Sequence, residues 1–284
     1  MEFLRPSSWA DAVAIKAATP EALPIAGGTD VMVELNFGRS RPPALLDLTA
    51  VDGLAQWDVD GKRIRLGAGL TYSRVVAELA VLAPGLAMAA RTVGSPQIRN
   101  RGTVAGNLGS ASPAGDAHPP LLASGATVEV ESVRGVRTIP LADFFTGVKQ
   151  SALEPDELIR AVVAPVASGP EQFAKIGTRN AMVIAVSAFA IAVHPEERRV
   201  GTGIGSAAPT PRRAPEAERY VAEALDWDGL APLDRDVADR FGELVAAAAA
   251  PIDDVRGTAR YRLHTLAVMA RRTLSWAWAA HRRS

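Results

Sequence analysis

The sequence contains no cysteine. That excludes disulfides, a thiolate nucleophile and any zinc or iron–sulfur site built on cysteine within this chain, so a cluster of that kind has to belong to a partner. There is no excess charge either. Thirty-one basic residues balance thirty-one acidic ones, which leaves no electrostatic pull towards nucleic acid or an anionic membrane surface. No uninterrupted apolar run reaches the ~18–20 residues of a membrane span, and the opening MEFLRPSSWADAV has no long apolar core behind a basic end. No membrane span is expected, and the reading is cytoplasmic.

Familiar motifs are missing as well. Without GxxxxGK(S/T) a P-loop has no support, and GTGIG at 201–205 and GAG at 67–69 lack the third glycine at its Rossmann spacing. The histidines, His118, His194, His264 and His281, show no metal-ligand spacing. No metal is expected. There is no GxSxG, so a hydrolase elbow is disfavoured, and no repeat of fixed period suggests a solenoid or propeller.

What is present is enough chain for one large or two ordinary domains: 284 residues, 48% hydrophobic and 22% charged. Ser8 followed by Asp11 predicts a capped short helix through SSWADAVAIKAA. LPIAGGTDVMVEL reads as an extended entry, a glycine pair and then a helix. PALLDLTAV and KRIRLGAGLT read as strands, and Thr71 or Ser73 can cap a helix through RVVAELAVL that Pro84 and Gly85 close. TVEVES and GVRTIP predict a hairpin turning near Val133 to Gly135, with Val128 and Val130 inward. ASGPEQ at 167–172 is the best internal boundary. Beyond it, AMVIAVSAFAIAVH predicts a buried strand, RVGTGIG another, and Pro215 opens the first of three helices. In the last, Leu263, Leu266, Ala267, Ala270, Leu274 and Trp278 form an apolar stripe.

Two glycine-rich elements carry the chemistry: AGGTD at 26–30 and GTVAGNLGSASPAGD at 102–116. Glycine lets backbone N–H groups approach an anion, and Thr, Ser and Asn add donors, so the pair can clamp a pyrophosphate from two sides; tight turns are the plainer reading of either loop alone. Asp116 can accept from sugar hydroxyls or a ring N–H, or cap a turn. Lys175 and Arg179 form a modest basic cluster that faces either an anionic cofactor edge or solvent.

AGGTDVMVELNFG, TVGSPQIRNRGTVAGNLGSASPAGDAHPPLLASGATVEV, DFFTGVKQSALEPDELI and IGSAAPTPRRAPEAE resemble, in that order, the FAD-binding medium subunit of molybdenum hydroxylases, the carbon monoxide dehydrogenase and xanthine dehydrogenase family. The resemblance runs over nearly the whole chain. It implies an α+β fold: a two-lobed FAD-binding domain of the vanillyl-alcohol-oxidase type at 1–170, with lobes about 1–55 and 56–170, then a smaller α+β domain at 171–284 with an antiparallel sheet and helices. It assigns Pro24, Ile25, Ala26, Gly27, Gly28, Thr29, Asp30 and Val31 to the first pyrophosphate loop. Thr103, Val104, Ala105, Gly106 and Asn107 form the second.

Asp116 belongs to the same cofactor site, near the ribityl chain or flavin ring. Val93 lines the flavin where some relatives have an aromatic, Ile159 lies near the isoalloxazine face, and Lys175 matches a basic residue near the flavin, whereas Arg179 stays open. The implied cofactor is FAD, with molybdopterin and iron–sulfur clusters only on a large and a small partner subunit, in a dimer of heterotrimers. Electrons would pass singly from iron–sulfur centres to the flavin and on to an external acceptor, NAD, oxygen, a quinone or a carrier protein. Two other classes stay open: a stand-alone FAD-dependent oxidoreductase acting on a small organic substrate, and a cofactor-free assembly subunit.

Overall fold

A computed structural model describes residues 1–284. The chain begins with strand β1 (Glu2–Leu4), helix α1 (Trp9–Ala18), β2 (Leu23–Ile25), α2 (Val31–Asn36) and β3 (Ala44–Asp47). The three strands form a parallel sheet in the order β1-β3-β2. β3 is the central strand and is buried along its whole length, as a parallel strand covered on both faces should be. Ser8 caps α1 as its sequence predicts, its Oγ accepting the Asp11 N–H. The helix expected after AGGTD is α2.

A second unit follows. Its sheet contains β4 (Trp57–Asp60), β5 (Arg63–Gly67), β6 (Thr127–Ser132), β7 (Gly135–Pro140) and β10 (Leu158–Pro165) in the order β4-β5-β10-β6-β7, all antiparallel. β6 alternates strictly, with Val128 and Val130 inward, and the β6–β7 hairpin turns where the sequence places it. Between β5 and β6 run α3 (Tyr72–Glu78), α4 (Pro84–Thr92), α5 (Pro96–Arg101), α6 (Val104–Ser110) and α7 (His118–Ser124). They bury Ile64, Leu66, Val128, Val130 and Val162 from the sheet against Leu79, Leu86, Leu108 and Leu121. The short helix α8 (Leu141–Phe144) and the small hairpin β8 (Phe145–Gly147) and β9 (Gln150–Ser151) complete the unit.

Two readings of this region need correction. Pro84 and Gly85 do not close the helix after Thr71; α3 ends at Glu78 and Pro84 opens α4, because proline at the first helical position gives up an N–H that has no helical partner anyway. The glycine-rich stretch at 102–116 is not one loop either. Its first half is helix α6, capped by Thr103 and stopped at Ala111 in the left-handed conformation, φ 44°.

The C-terminal part is an antiparallel meander of β11 (Glu171–Ile176), β12 (Ser187–His194) and β13 (Arg199–Gly205), followed by α9 (Pro215–Ala224), α10 (Arg235–Ala247) and α11 (Ala259–His281). β12 starts at Ser187, so 181–186 of the expected strand lie outside it; Met182 turns there with φ 51°. Along β12 large and small residues alternate. Phe189, Ile191 and Val193 join Phe241, Leu266 and Trp278 in one core, and Ala188, Ala190 and Ala192 face Ala89 and Ala123 of the preceding unit. The backbone of α7 lies directly on β13: a Cβ on Gly201 or Gly203 would sit 1.9 Å from the Ala123 carbonyl oxygen or 2.0 Å from that of Pro119. The buried stripe of α11 is also shifted. Leu263 and Ala267 are only half-buried, and Arg262 is buried instead, donating to the carbonyls of Val186 and Ser206 at 2.6 and 2.5 Å.

Candidate functional site

The first glycine loop leaves β2 at Pro24 and Ile25, turns through Ala26, Gly27, Gly28 and Thr29, and enters α2 from Asp30 at Val31. Gly28 has φ +74°, the left-handed region that favours glycine. Gly27 answers a different need, since a Cβ there would lie 2.0 Å from the Arg101 carbonyl oxygen and 2.9 Å from the Gly102 nitrogen. The first loop is therefore pressed onto the entrance of the second.

That second element is held from below. Tyr72 N–H donates to the Gly102 carbonyl at 3.0 Å, Val104 N–H to that of Leu70 at 3.3 Å, and Thr71 and Thr103 form an antiparallel bridge. Thr103 Oγ1 accepts the Gly106 N–H at 2.9 Å, which fixes the first turn of α6, with Val104 and Ala105 buried beneath it. A cavity of about 170 Å³ opens between Ala26, Gly27, Thr71, Arg101 and Thr103 over Leu48. The two expected glycine elements thus share one cleft.

Further along, Lys175 Nζ lies 2.6 Å from Asp116 Oδ2, both side chains 8% exposed. Thr92 joins them: its hydroxyl lies 3.2 Å from the same carboxylate oxygen, and Lys175 also donates to its carbonyl at 3.3 Å. Burial pushes the Asp116 carboxyl up, against the pull of Lys175 and Thr92. The next residue, Val93, is half-buried at the end of α4, and Arg99 holds its turn by donating to the carbonyls of Val93 and Gly94 at 3.0 and 3.1 Å. Ile159, on β10, is half-buried under α6, with Cδ1 3.6 Å from where a Cβ on Gly109 would be. Arg179 is turned back on its own loop, donating to the carbonyls of Ala181 and Met182.

The site leaves polar atoms buried without a partner. Asn107 Oδ1, Asp116 Oδ1 and the Tyr72 hydroxyl have none, and such groups are rare in a finished interior. Burial first, then the charges of Asp116 and Asp30, push the Tyr72 phenol well above its ordinary value. Tyr72 therefore feels an acid from each glycine element. His118, which lies fully buried with Nε2 3.2 Å from the Asn107 carbonyl and its ring 4.5 Å from that of Phe145, is brought down to about 4 by burial. It is a neutral buttress under α6.

These residues suit a cofactor with a diphosphate and an edge rich in acceptors and donors. Thr92 and Tyr72 are the site residues that sequence reasoning misses. Thr92 carried a weak signal, as the neighbour of Val93, and Tyr72 carried none, being one aromatic at an ordinary helix start.

Residues 1–167 match the family model of the FAD binding domain in molybdopterin dehydrogenase, and residues 172–277 match that of the CO dehydrogenase flavoprotein C-terminal domain. The chain belongs to this family of FAD-binding oxidoreductase subunits. It is 32% identical to the xanthine dehydrogenase FAD-binding subunit of Escherichia coli O157:H7, covering 97% of this chain and 95% of that one. With the nicotine 6-hydroxylase medium subunit of Paenarthrobacter nicotinovorans it shares 30% identity over 96% of each. Among solved structures, the reconstituted CO dehydrogenase from Oligotropha carboxidovorans superposes with a TM-score of 0.90 at 28% identity, over 99% of this chain and 98% of that one. No helix is long and apolar enough to cross a membrane.

Proposed function

We propose that this chain is the FAD-bearing electron-transfer subunit of a molybdenum-containing hydroxylase or dehydrogenase, receiving electrons from iron–sulfur centres on a small partner subunit and passing them to an external acceptor. A large molybdopterin subunit completes the complex, as a dimer of heterotrimers. The relatives named as medium subunits or chains support this reading, and so does the absence of cysteine for clusters. The division we propose falls near residue 170, with lobes meeting near residue 55. The break near 170 is supported by family matches that stop at 167 and resume at 172 and by the two large cores on either side of it.

The observation that carries the proposal is the contact of Gly27 with Arg101 and Gly102. It makes one cleft of two donor-rich backbones, the arrangement a diphosphate needs. FAD supplies the redox chemistry, exchanging electrons singly or in pairs. The residues of this chain bind and orient. Pro24 to Val31 and Thr103 to Asn107 supply backbone and hydroxyl donors for the phosphates, and Val93 and Ile159 give apolar walls for the ring. Asp116 offers its unpartnered oxygen, and Lys175 holds that carboxylate in place.

The test is an absorption spectrum of the purified chain before and after adding FAD, with dithionite reduction. Flavin bands that bleach reversibly are expected. A folded chain that takes up no FAD would overturn the reading and leave an assembly role in its place.

A further inference from the structure

β11 lies along α4, and three of its side chains face that helix. Residues 171, 173 and 175 share one face of a strand. At one end Glu171 Oε2 accepts the N–H of Gly85, in the first turn of α4, at 2.8 Å. At the other Lys175 donates to the carbonyl of Thr92, its last residue, at 3.3 Å. Between them Phe173 packs with Ala89. An acceptor at the N-terminus and a donor at the C-terminus match the groups that the two helix ends leave without intrahelical partners. The approach is close, because a Cβ on Gly85 would lie 3.0 Å from Glu171 Oε2 and 3.2 Å from its Cβ. The lengths also correspond: four strand steps span roughly 13 Å and seven helical steps roughly 10 Å.

The two ends differ in what they touch. Lys175 and Thr92 meet Asp116, which belongs to the proposed cofactor site. Glu171 touches no other part of that site, yet it fixes the helix whose last residue does. We propose that β11 is a two-ended clamp on α4 and that Glu171 is a positioning residue: by holding Gly85 it sets the register in which Lys175 and Thr92 grip Asp116. Docking of the C-terminal sheet then completes the cofactor site in the N-terminal part, and FAD binding and the interface are thermodynamically coupled. This rests on the FAD reading above.

The full chain would be compared with Glu171→Ala, Glu171→Gln and Gly85→Ala in two measurements. The first is hydrogen exchange of the cofactor-free protein over residues 84–94 and 112–118; the second is an FAD titration followed by flavin fluorescence. Glu171→Ala is expected to lower protection at both ends of α4 and around Asp116, and to weaken FAD about three- to tenfold, the effect of one hydrogen bond. Glu171→Gln, whose amide oxygen still accepts the Gly85 N–H, should restore both. Gly85→Ala, approached from the helix side, should reproduce the loss even where Glu171→Ala folds poorly. Loss of protection confined to residues 84–88, with FAD affinity unchanged in both alanine variants, would overturn the positioning role. The described loss of protection in the alanine variants, beside a wild-type chain that binds no FAD, would leave the clamp standing and remove the cofactor reading instead.

Discussion

Lys175 and Asp116 meet at 2.6 Å with both side chains nearly closed to solvent, although they lie on segments that match two different domain families. The pair is neutral as a whole, so neither charge acts alone on a nearby cofactor. Removing one member exposes the other. Asp116→Asn leaves an uncompensated cation and is expected to raise the flavin midpoint potential, whereas Lys175→Met leaves an uncompensated anion and should lower it at pH 8. Lys175→Met also breaks a buried pair, which costs about 3–5 kcal/mol in comparable cases, so its melting curve is recorded alongside. Spectroelectrochemical titration of both variants gives the answer: two shifts of the same sign, or none, would take the pair away from the flavin.

Gly27→Ala tests the contact between the glycine loops. The added methyl meets a backbone carbonyl rather than a flexible side chain, so the loops have to separate. A loss of about 1–3 kcal/mol is expected from such overpacking, together with FAD affinity at least about tenfold weaker as the phosphate donors part. Thermal melts and an FAD titration read the two effects separately. Full FAD affinity in a folded Gly27→Ala chain would mean that the contact is not what forms the cleft.

The sequence made some of this legible and hid the rest for identifiable reasons. The alternation of Val128 and Val130 placed β6 because one face of that strand is buried and the other is not. Both glycine elements, which the structure brings to one cleft, were visible as candidate anion-binding backbones. That the second is partly helical was not, because glycine disfavours a helix interior and the contacts that override it, Thr103 with Gly106 and the bridge to Thr71, are tertiary or cap interactions. In the run SAFAIAVH the alternating alanines mark the face that packs on α7, yet read simply as a buried strand. Glu171 gave no signal: its partner is a backbone N–H 86 positions away.

Glu171 makes a pH prediction. Burial pushes its carboxyl up to about 7, with the Gly85 N–H as the only opposing influence. Between its ordinary value near 4.5 and 7 the folded chain holds a proton that the unfolded chain has lost, so this group removes stability as pH rises through that window. The difference amounts to about 3 kcal/mol at most. His118 acts oppositely, since burial brings its pKa from 6.5 to about 4 and its contribution grows as pH rises between those values. Relative to wild type, Glu171→Gln should therefore gain thermal stability steadily from pH 4.5 to 7 and hold the gain above. A constant offset across the range would show that the carboxyl titrates normally.

Tyr72 separates the empty site from the filled one. Its hydroxyl is buried without a hydrogen-bond partner in the protein and lies under the influence of Asp116 and Asp30, one from each glycine element. An unsatisfied buried hydroxyl costs about 1–3 kcal/mol. Tyr72→Phe removes that cost, so the cofactor-free variant should melt higher than wild type. If the hydroxyl donates to FAD, the same change removes a hydrogen bond from the complex, and saturating FAD should raise the melting temperature of Tyr72→Phe by less than it raises that of wild type. Melting curves of both proteins with and without FAD read the crossing directly. Equal increments would place the phenol outside the cofactor's reach and return its hydroxyl to the protein interior.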